Sequence, residues 1–243
     1  MAKRNPKVIT VSAAGKGERM RASIEELGFS EDTPKQLLPT GTGETLIGRI
    51  VRQAMEIANV ELYAYYDTIR PIGEHPDTPQ DIQLLVNRNV TGPLGPLYLD
   101  IFRSGDQSLM AAGDFWANFK WSEFLAFHDG HNQPVSVLVA PSVPTFGGAR
   151  FNVADNGHVD SWERVERTSA TDLINIGAYI VDPEEIALRR IRALDTHKED
   201  PFNDTMIEGG LLAAYVLDEP AFNVNNAEIY QAMVQHSAKT EDM

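Results

Sequence analysis

The chain has no cysteine in its 243 residues. Disulfides, cysteine-bound zinc, iron–sulfur clusters and a thiol nucleophile are therefore excluded. Long apolar runs are also missing: there is no stretch of about 18 uncharged apolar residues. The opening MAKRNPKVITV has no apolar core of signal length, so a soluble, cytoplasmic protein is expected. Positive charge is scarce, with 21 Lys and Arg against 35 Asp and Glu and a net charge of −14. Surfaces that bind nucleic acid or anionic membrane need clustered basic groups, so neither partner is expected. Internal repeats, low-complexity tracts and Pro/Ser-rich linkers are lacking as well, which leaves no break inside 1–243 and predicts one domain. A chain of this length buries roughly three quarters of the surface it exposes when unfolded, so it needs no covalent staples. No Ser/His/Asp arrangement suggests a nucleophilic triad.

The basic residues that are present are unevenly placed. Residues 1–35 hold seven basic and five acidic side chains, a balance of +2, while the rest of the chain holds 14 basic and 30 acidic, a balance of −16. An anionic ligand is best received near the N-terminus. There, the stretch VSAAGKGERMR (11–21) follows the apolar run KVITV. A glycine-rich turn leaving a strand exposes backbone N–H groups, and Lys16, Arg19 and Arg21 add positive charge, a combination suited to phosphate. Neither standard phosphate motif is met. Met20 stands where the dinucleotide fingerprint has its third glycine, and no Lys-Ser or Lys-Thr follows as in a P-loop.

Apolar, β-branched runs at 7–12, 61–66, 82–87, 108–113, 134–141, 173–181 and 212–218 alternate with helix-period segments. This pattern predicts an α/β fold with a doubly wound, mostly parallel central sheet. In 45–58, Leu46, Ile47, Ile50, Val51, Ala54, Ile57 and Ala58 share one helix face. Further helices are expected at 122–128, 183–194 and 227–238. One segment breaks the alternation: 147–165 is two extended runs around Asp155-Asn156-Gly157, a hairpin signal that predicts a small second lobe. His128 and His131 read as a polar helix-to-strand connection rather than a metal pair, and Trp116, Trp121 and Trp162 as packing residues.

Taken in order, AAGKGERM (13–20), PKQLLP (34–39) and ETLI (44–47) resemble the sugar-1-phosphate nucleotidylyltransferases. The resemblance implies a GT-A, Rossmann-like nucleotidyltransferase fold with a β-hairpin sugar-binding lobe. It divides the domain at about residue 115 into a nucleotide-binding half, 1–115, and an acceptor-binding half, 116–243. In that family the loop matching Ala13, Ala14, Gly15, Lys16 and Gly17 wraps the nucleotide phosphates, and the residues matching Arg19 and Lys35 neutralise charge during transfer. TGPLGPL (91–97) is similar to the loop that lies against the base, with Gly92 and Gly95 as contacts. LMAAGDF (109–115) is similar to the strand whose Asp, here Asp114, binds Mg2+.

On the sugar side, LINIGAYIVDPEE (173–185) resembles the strand that places Asn175 and Gly177 at the sugar. The hairpin's Glu-Lys pair is matched by Glu163-Arg164 and equally by Glu166-Arg167. The second metal ligand, commonly an Asp, falls in FNVNNAEIYQA (222–232), where Asn223, Asn225 and Asn226 stand instead. An amide carbonyl is an acceptable Mg2+ ligand that brings no charge, and Asn223 and Asn225 are taken as the candidates.

The resemblance implies an NTP and a phosphorylated acceptor as substrates, and is compatible with a homo-oligomer. The first expectation is transfer of a nucleotidyl group to a sugar 1-phosphate. A polyol phosphate or phosphocholine acceptor, or a non-catalytic relative that binds a sugar nucleotide, stays open beside it.

Overall fold

A computed structural model of the chain describes residues 8–13, 18–87, 107–143, 146–182, 186 and 199–240. In chain order these form β1 (Val8–Ser12), α1 (Glu18–Ile24), a 3-10 turn at Lys35–Leu37, α2 (Leu46–Met55), β2 (Asn59–Tyr65), α3 (Tyr66–Gly73) and β3 (Gln83–Asn87). There follow β4 (Ser108–Ala112), β5 (Phe115–Trp116), α4 (Trp121–Asp129), β6 (Val135–Pro141), β7 (Phe146–Val153), β8 (Val159–Arg167) and β9 (Leu173–Val181). The last described elements are α5 (Glu199–Glu208), β10 (Leu212–Val216), β11 (Phe222–Asn223) and α6 (Ala227–Thr240).

Period-two alternation sorts the strand residues onto two buried faces. Leu109 and Ala111 of β4, Leu138 and Ala140 of β6, and Ile176, Ala178 and Ile180 of β9 enter one hydrophobic cluster with α2 and α4. Met110, Val137, Val139, Tyr179 and Val181 enter another with Phe202 and Met206 of α5. Strands covered on both sides read as near-continuous apolar runs, which is why these segments stand out in the sequence. A third cluster joins Met20 and Ile24 of α1 to Trp116, Phe222, Val224 and the α6 residues Ile229, Tyr230 and Met233.

The strand order is β10-β6-β9-β4-β1-β2-β3. β1 is parallel to both β2 and β4, β2 to β3, and β6 to β10. β9 runs antiparallel between β4 and β6, so the expectation of a mostly parallel α/β sheet is met. The hairpin is β7–β8. It turns at Gly157, whose φ of +81° suits glycine, and it joins the sheet through Arg150↔Ile174 and Phe151↔Leu173.

On α2 the Thr45 hydroxyl caps the first turn, accepting the Gly48 N–H at 3.1 Å. Leu46, Ile47, Ile50, Val51 and Ala54 are buried, each of the larger side chains contributing about 1.5–3 kcal/mol.

Several elements differ from the sequence-based expectation. The strand expected at 61–66 runs Asn59–Tyr65, because Tyr66 begins α3, an eight-residue helix with Pro71 inside it. Helix α5 and the short β5–β11 ladder carry no periodic signal long enough to read. The helix expected over 183–194 lies outside the described residues except for Ile186.

Candidate active site

In open α/β sheets a ligand crevice forms at the carboxyl ends of the strands, where successive connections leave in opposite directions. Here that point lies beside β1, which has β2 on one side and β4 on the other. The two strand ends are tied together: Gly113 N–H donates to the Ser12 carbonyl at 2.7 Å, and Ala13 N–H to the Tyr63 carbonyl at 2.7 Å. Ala13 is fully buried. The loop residues Ala14, Gly15, Lys16 and Gly17, and Gly92 and Gly95, lie outside the described residues. Arg19 is on α1, and its side chain is outside them too.

Asp114 lies in the turn between β4 and β5, one residue past Gly113, and sits where three remote stretches meet. Its carbonyl accepts the Val224 N–H at 2.9 Å, beside a ladder that pairs Phe222 with Trp116 and Asn223 with Phe115. Lys35, in the 3-10 turn after an extended Pro34, is only 8% exposed. Its ammonium forms an ion pair with the Asp114 carboxylate and donates to the Val224 carbonyl at 3.4 Å. The structure thus brings Lys35, Asp114 and the 223–224 backbone together. Asn226 has another task, since its side-chain oxygen accepts the Ile229 N–H at 2.9 Å and caps α6. Asn225 stands between them, half-buried.

A cleft of about 300 Å3 opens beside Lys35, lined also by Arg21, Glu31, Asp32, Gln36, Asp67 and Thr68. Sequence reasoning missed Gln36 and Asp67. Gln36 was readable as part of the PKQLLP stretch, whereas Asp67 is delivered by the unrecognised helix α3.

Asn175 and Gly177 lie on β9 near the same end of β4, because Ala111 pairs with Ala178. A bulge forms there, with two steps along β6, Val137 to Val139, matched by four along β9, Tyr179 to Asn175. Gly177 has φ +84°, and a Cβ on it would lie 2.9 Å from that of Ala112. The Asn175 side-chain oxygen accepts the Gly177 N–H at 2.8 Å, its amide donates to the Tyr179 hydroxyl, and that hydroxyl reaches Asn203 of α5 at 3.4 Å. At 6% exposure, Asn175 braces the bulge.

Glu163 lies two strands further out. It pairs with Arg150, which also donates to Asp172 at 3.1 Å. Arg150, held charged by these two carboxylates, faces Glu163 on one side and Ile174 on the other. It is a third residue that the sequence did not single out, and only the cross-strand register reveals it. Glu166 is exposed on the same strand.

The two histidines lie elsewhere. The Ser136 hydroxyl is 2.7 Å from His128 Nδ1 and 2.8 Å from His131 Nε2, so one ring accepts its proton while the other donates. His128 Nε2 lies 3.3 Å from Asp182. These groups surround the starts of β6 and β10, at the opposite end of the sheet from Asp114. Among the described residues no three His, Asp or Glu side chains group as a metal site. Trp116 and Trp121 are core residues, and Trp162 packs on Phe151 while its indole N–H donates to Asp204 at 2.7 Å.

This doubly wound sheet, with its antiparallel β9 and late hairpin, is a fold found in solved structures. Two solved structures share it over nearly their whole length. One, from Bacillus anthracis and solved in complex with a sucrose, is described as a glucose-1-phosphate thymidylyltransferase. It matches with a TM-score of 0.72 and 15% identity, covering 95% of this chain and 94% of that one. The other, HddC from Yersinia pseudotuberculosis, matches with a TM-score of 0.67 and 16% identity, covering 96% of this chain and 100% of that one. No protein-family model and no curated protein matches the sequence. No described helix is long and apolar enough to cross a membrane.

Proposed function

We propose that this chain transfers a nucleotidyl group from an NTP to a sugar 1-phosphate, forming an NDP-sugar and pyrophosphate. The observation that carries the reading is the meeting of Lys35, Asp114 and the 223–224 backbone at the switch point of a fold shared with a protein described as a glucose-1-phosphate thymidylyltransferase. An oxygen of the acceptor phosphate attacks the α-phosphorus of the NTP. The bond from that phosphorus to the bridging oxygen breaks, and the oxygen departs with the electron pair on pyrophosphate. Such a displacement needs two anions held in line and their charge offset, with little covalent help from protein.

In this reading Lys35 and Arg19 supply positive charge to the triphosphate, and the resemblance assigns its oxygens to the 13–17 loop, through N–H groups other than that of Ala13, which the Tyr63 carbonyl already accepts. The resemblance assigns Gly92 and Gly95 to the base. The braced bulge of Asn175 and Gly177 borders the acceptor, with Glu163 and its Arg150 partner beyond it. The oxygens around the Lys35 ammonium suit a hard cation, because a carboxylate and a carbonyl already solvate a positive charge there. Asp114, with the amide oxygen of Asn223 or Asn225, would hold Mg2+, which supplies further charge neutralisation on the phosphates. The reaction is assigned to the cytoplasm, where NTPs are made.

Pyrophosphate release across a grid of NTPs and sugar 1-phosphates tests this. Release is expected only when both substrates and Mg2+ are present, to be abolished by EDTA and strongly reduced in Lys35→Ala. Release with a polyol phosphate or phosphocholine instead of a sugar would keep the chemistry and change the acceptor. Silence across the grid from folded protein would overturn the assignment in favour of a binding protein.

A further inference from the structure

We propose that Lys35 is an internal cation that holds the metal position closed in the ligand-free protein, and that a triphosphate opens it by drawing the ammonium away. The proposal deepens the nucleotidyltransferase reading and rests on it for the identity of the incoming anion. Its ground is geometric. The Lys35 ammonium pairs with Asp114 and reaches the Val224 carbonyl at 3.4 Å, so it bridges the two segments that carry the metal donors.

Both side chains of the pair are largely withdrawn from water, with side-chain exposures of 9% for Lys35 and 20% for Asp114. A poorly hydrated carboxylate needs a positive partner, and here the chain supplies its own. A divalent cation entering beside that ammonium would meet a like charge at contact distance, in a site too sheltered for water to screen it. Removing the ammonium leaves a carboxylate and a carbonyl facing one point.

The side chain has room to turn, since it borders a cleft lined also by Arg21, Gln36 and the carboxylates of Glu31, Asp32 and Asp67. A triphosphate that reaches Lys35 offers it several charge-assisted acceptors in exchange for one carboxylate. As the ammonium turns to the phosphates, Asp114 is released to the metal. Coupling of this kind is reciprocal, so nucleotide strengthens metal binding by the factor by which metal strengthens nucleotide binding. The protein thereby takes metal and nucleotide together, and does not retain a divalent ion when no substrate is present.

The test uses Mn2+ as the probe, titrated by electron paramagnetic resonance against the whole chain with no nucleotide present. Lys35→Met and Lys35→Gln are expected to bind Mn2+ at least about tenfold more tightly than wild type, a coupling in the usual range between linked sites. Lys35→Arg, which keeps the charge, is expected to show no gain, and adding Asp114→Asn to Lys35→Met should remove it. Equal Mn2+ affinity in wild type and both neutral variants, or a gain that survives Asp114→Asn, overturns the closed state.

Equilibrium dialysis with α,β-methylene NTPs of the four common bases, in EDTA, examines the opening anion separately. Wild type is expected to bind at least one of them, and to bind Mn2+ more tightly in its presence. Wild type that binds none overturns the nucleotidyltransferase reading and the opening step, while the nucleotide-free titrations still judge the closed state.

Discussion

Asp114 shows what a single side chain does in this protein and how much of that the sequence discloses. Its position after an apolar strand ending in Ala-Ala-Gly was readable, because a short carboxylate at the carboxyl end of a parallel strand is where α/β sheets meet their ligands. Its partner was not readable. The contact between Lys35 and Asp114 joins residues 79 positions apart, and no local pattern encodes it. The asparagine run was also ambiguous in one dimension. The structure separates its members by assigning the Asn226 oxygen to the cap of α6 and pairing Asn223 across from Phe115. If Asp114 anchors the Mg2+ that offsets charge in the transition state, Asp114→Ala should lower kcat/KM by at least about 100-fold, the effect of removing one such stabiliser. The pyrophosphate assay on folded variant decides it, and near-normal turnover would remove Asp114 from the chemistry.

Among the elements, the long regular ones were legible and the short ones were not. β4, β6 and β9 are buried on both faces and announce themselves as apolar runs, and the hairpin is marked by Asp155-Asn156-Gly157. The bulge in β9 has no such marker, since LINIGAYIV reads as an uninterrupted strand. Two glycines with nearly equal dihedrals allow a comparison. Gly157 has φ +81°, and an added Cβ there would meet its neighbours at ordinary van der Waals distance, 3.5 Å at the closest, whereas Gly177 has φ +84° and a neighbour at 2.9 Å. Alanine at either position bears about 1–2 kcal/mol of left-handed backbone cost. Gly177→Ala adds a collision with Ala112 and should therefore be the more destabilised of the two. Urea denaturation measures both, and equal losses would show that the bulge yields at no cost.

At the scale of the whole molecule, the two ends of the sheet serve different purposes. The α/β class followed from alternating periodicity, whereas the placing of the histidine cluster opposite the candidate site required the topology. Burial, and then the neighbouring His128, lower the His131 pKa to about 4, against a raising influence from Asp182. An imidazole with a depressed folded-state pKa binds fewer protons than in the unfolded chain, so its contribution is complete above about pH 6.5 and is lost as pH falls towards 4. After allowance for solvent around this half-buried ring, the loss is on the order of 2 kcal/mol. Urea midpoints should fall between pH 7 and 4.5 in wild type and less steeply in His131→Asn; parallel slopes would exonerate the cluster.

The union of β5 with β11 also bears on synthesis. The chain must be made as far as Val224 before Lys35 can find that carbonyl, 189 positions away, and before Asp114 can receive the Val224 N–H. Domains of this size emerge from the ribosome over many seconds, at about 5–20 residues per second. Until then the N-terminal half holds Lys35 and Asp114 without the Val224 backbone that both contact. A nascent chain of this protein makes the contact of Lys35 with the Val224 carbonyl only when β11 docks against β5.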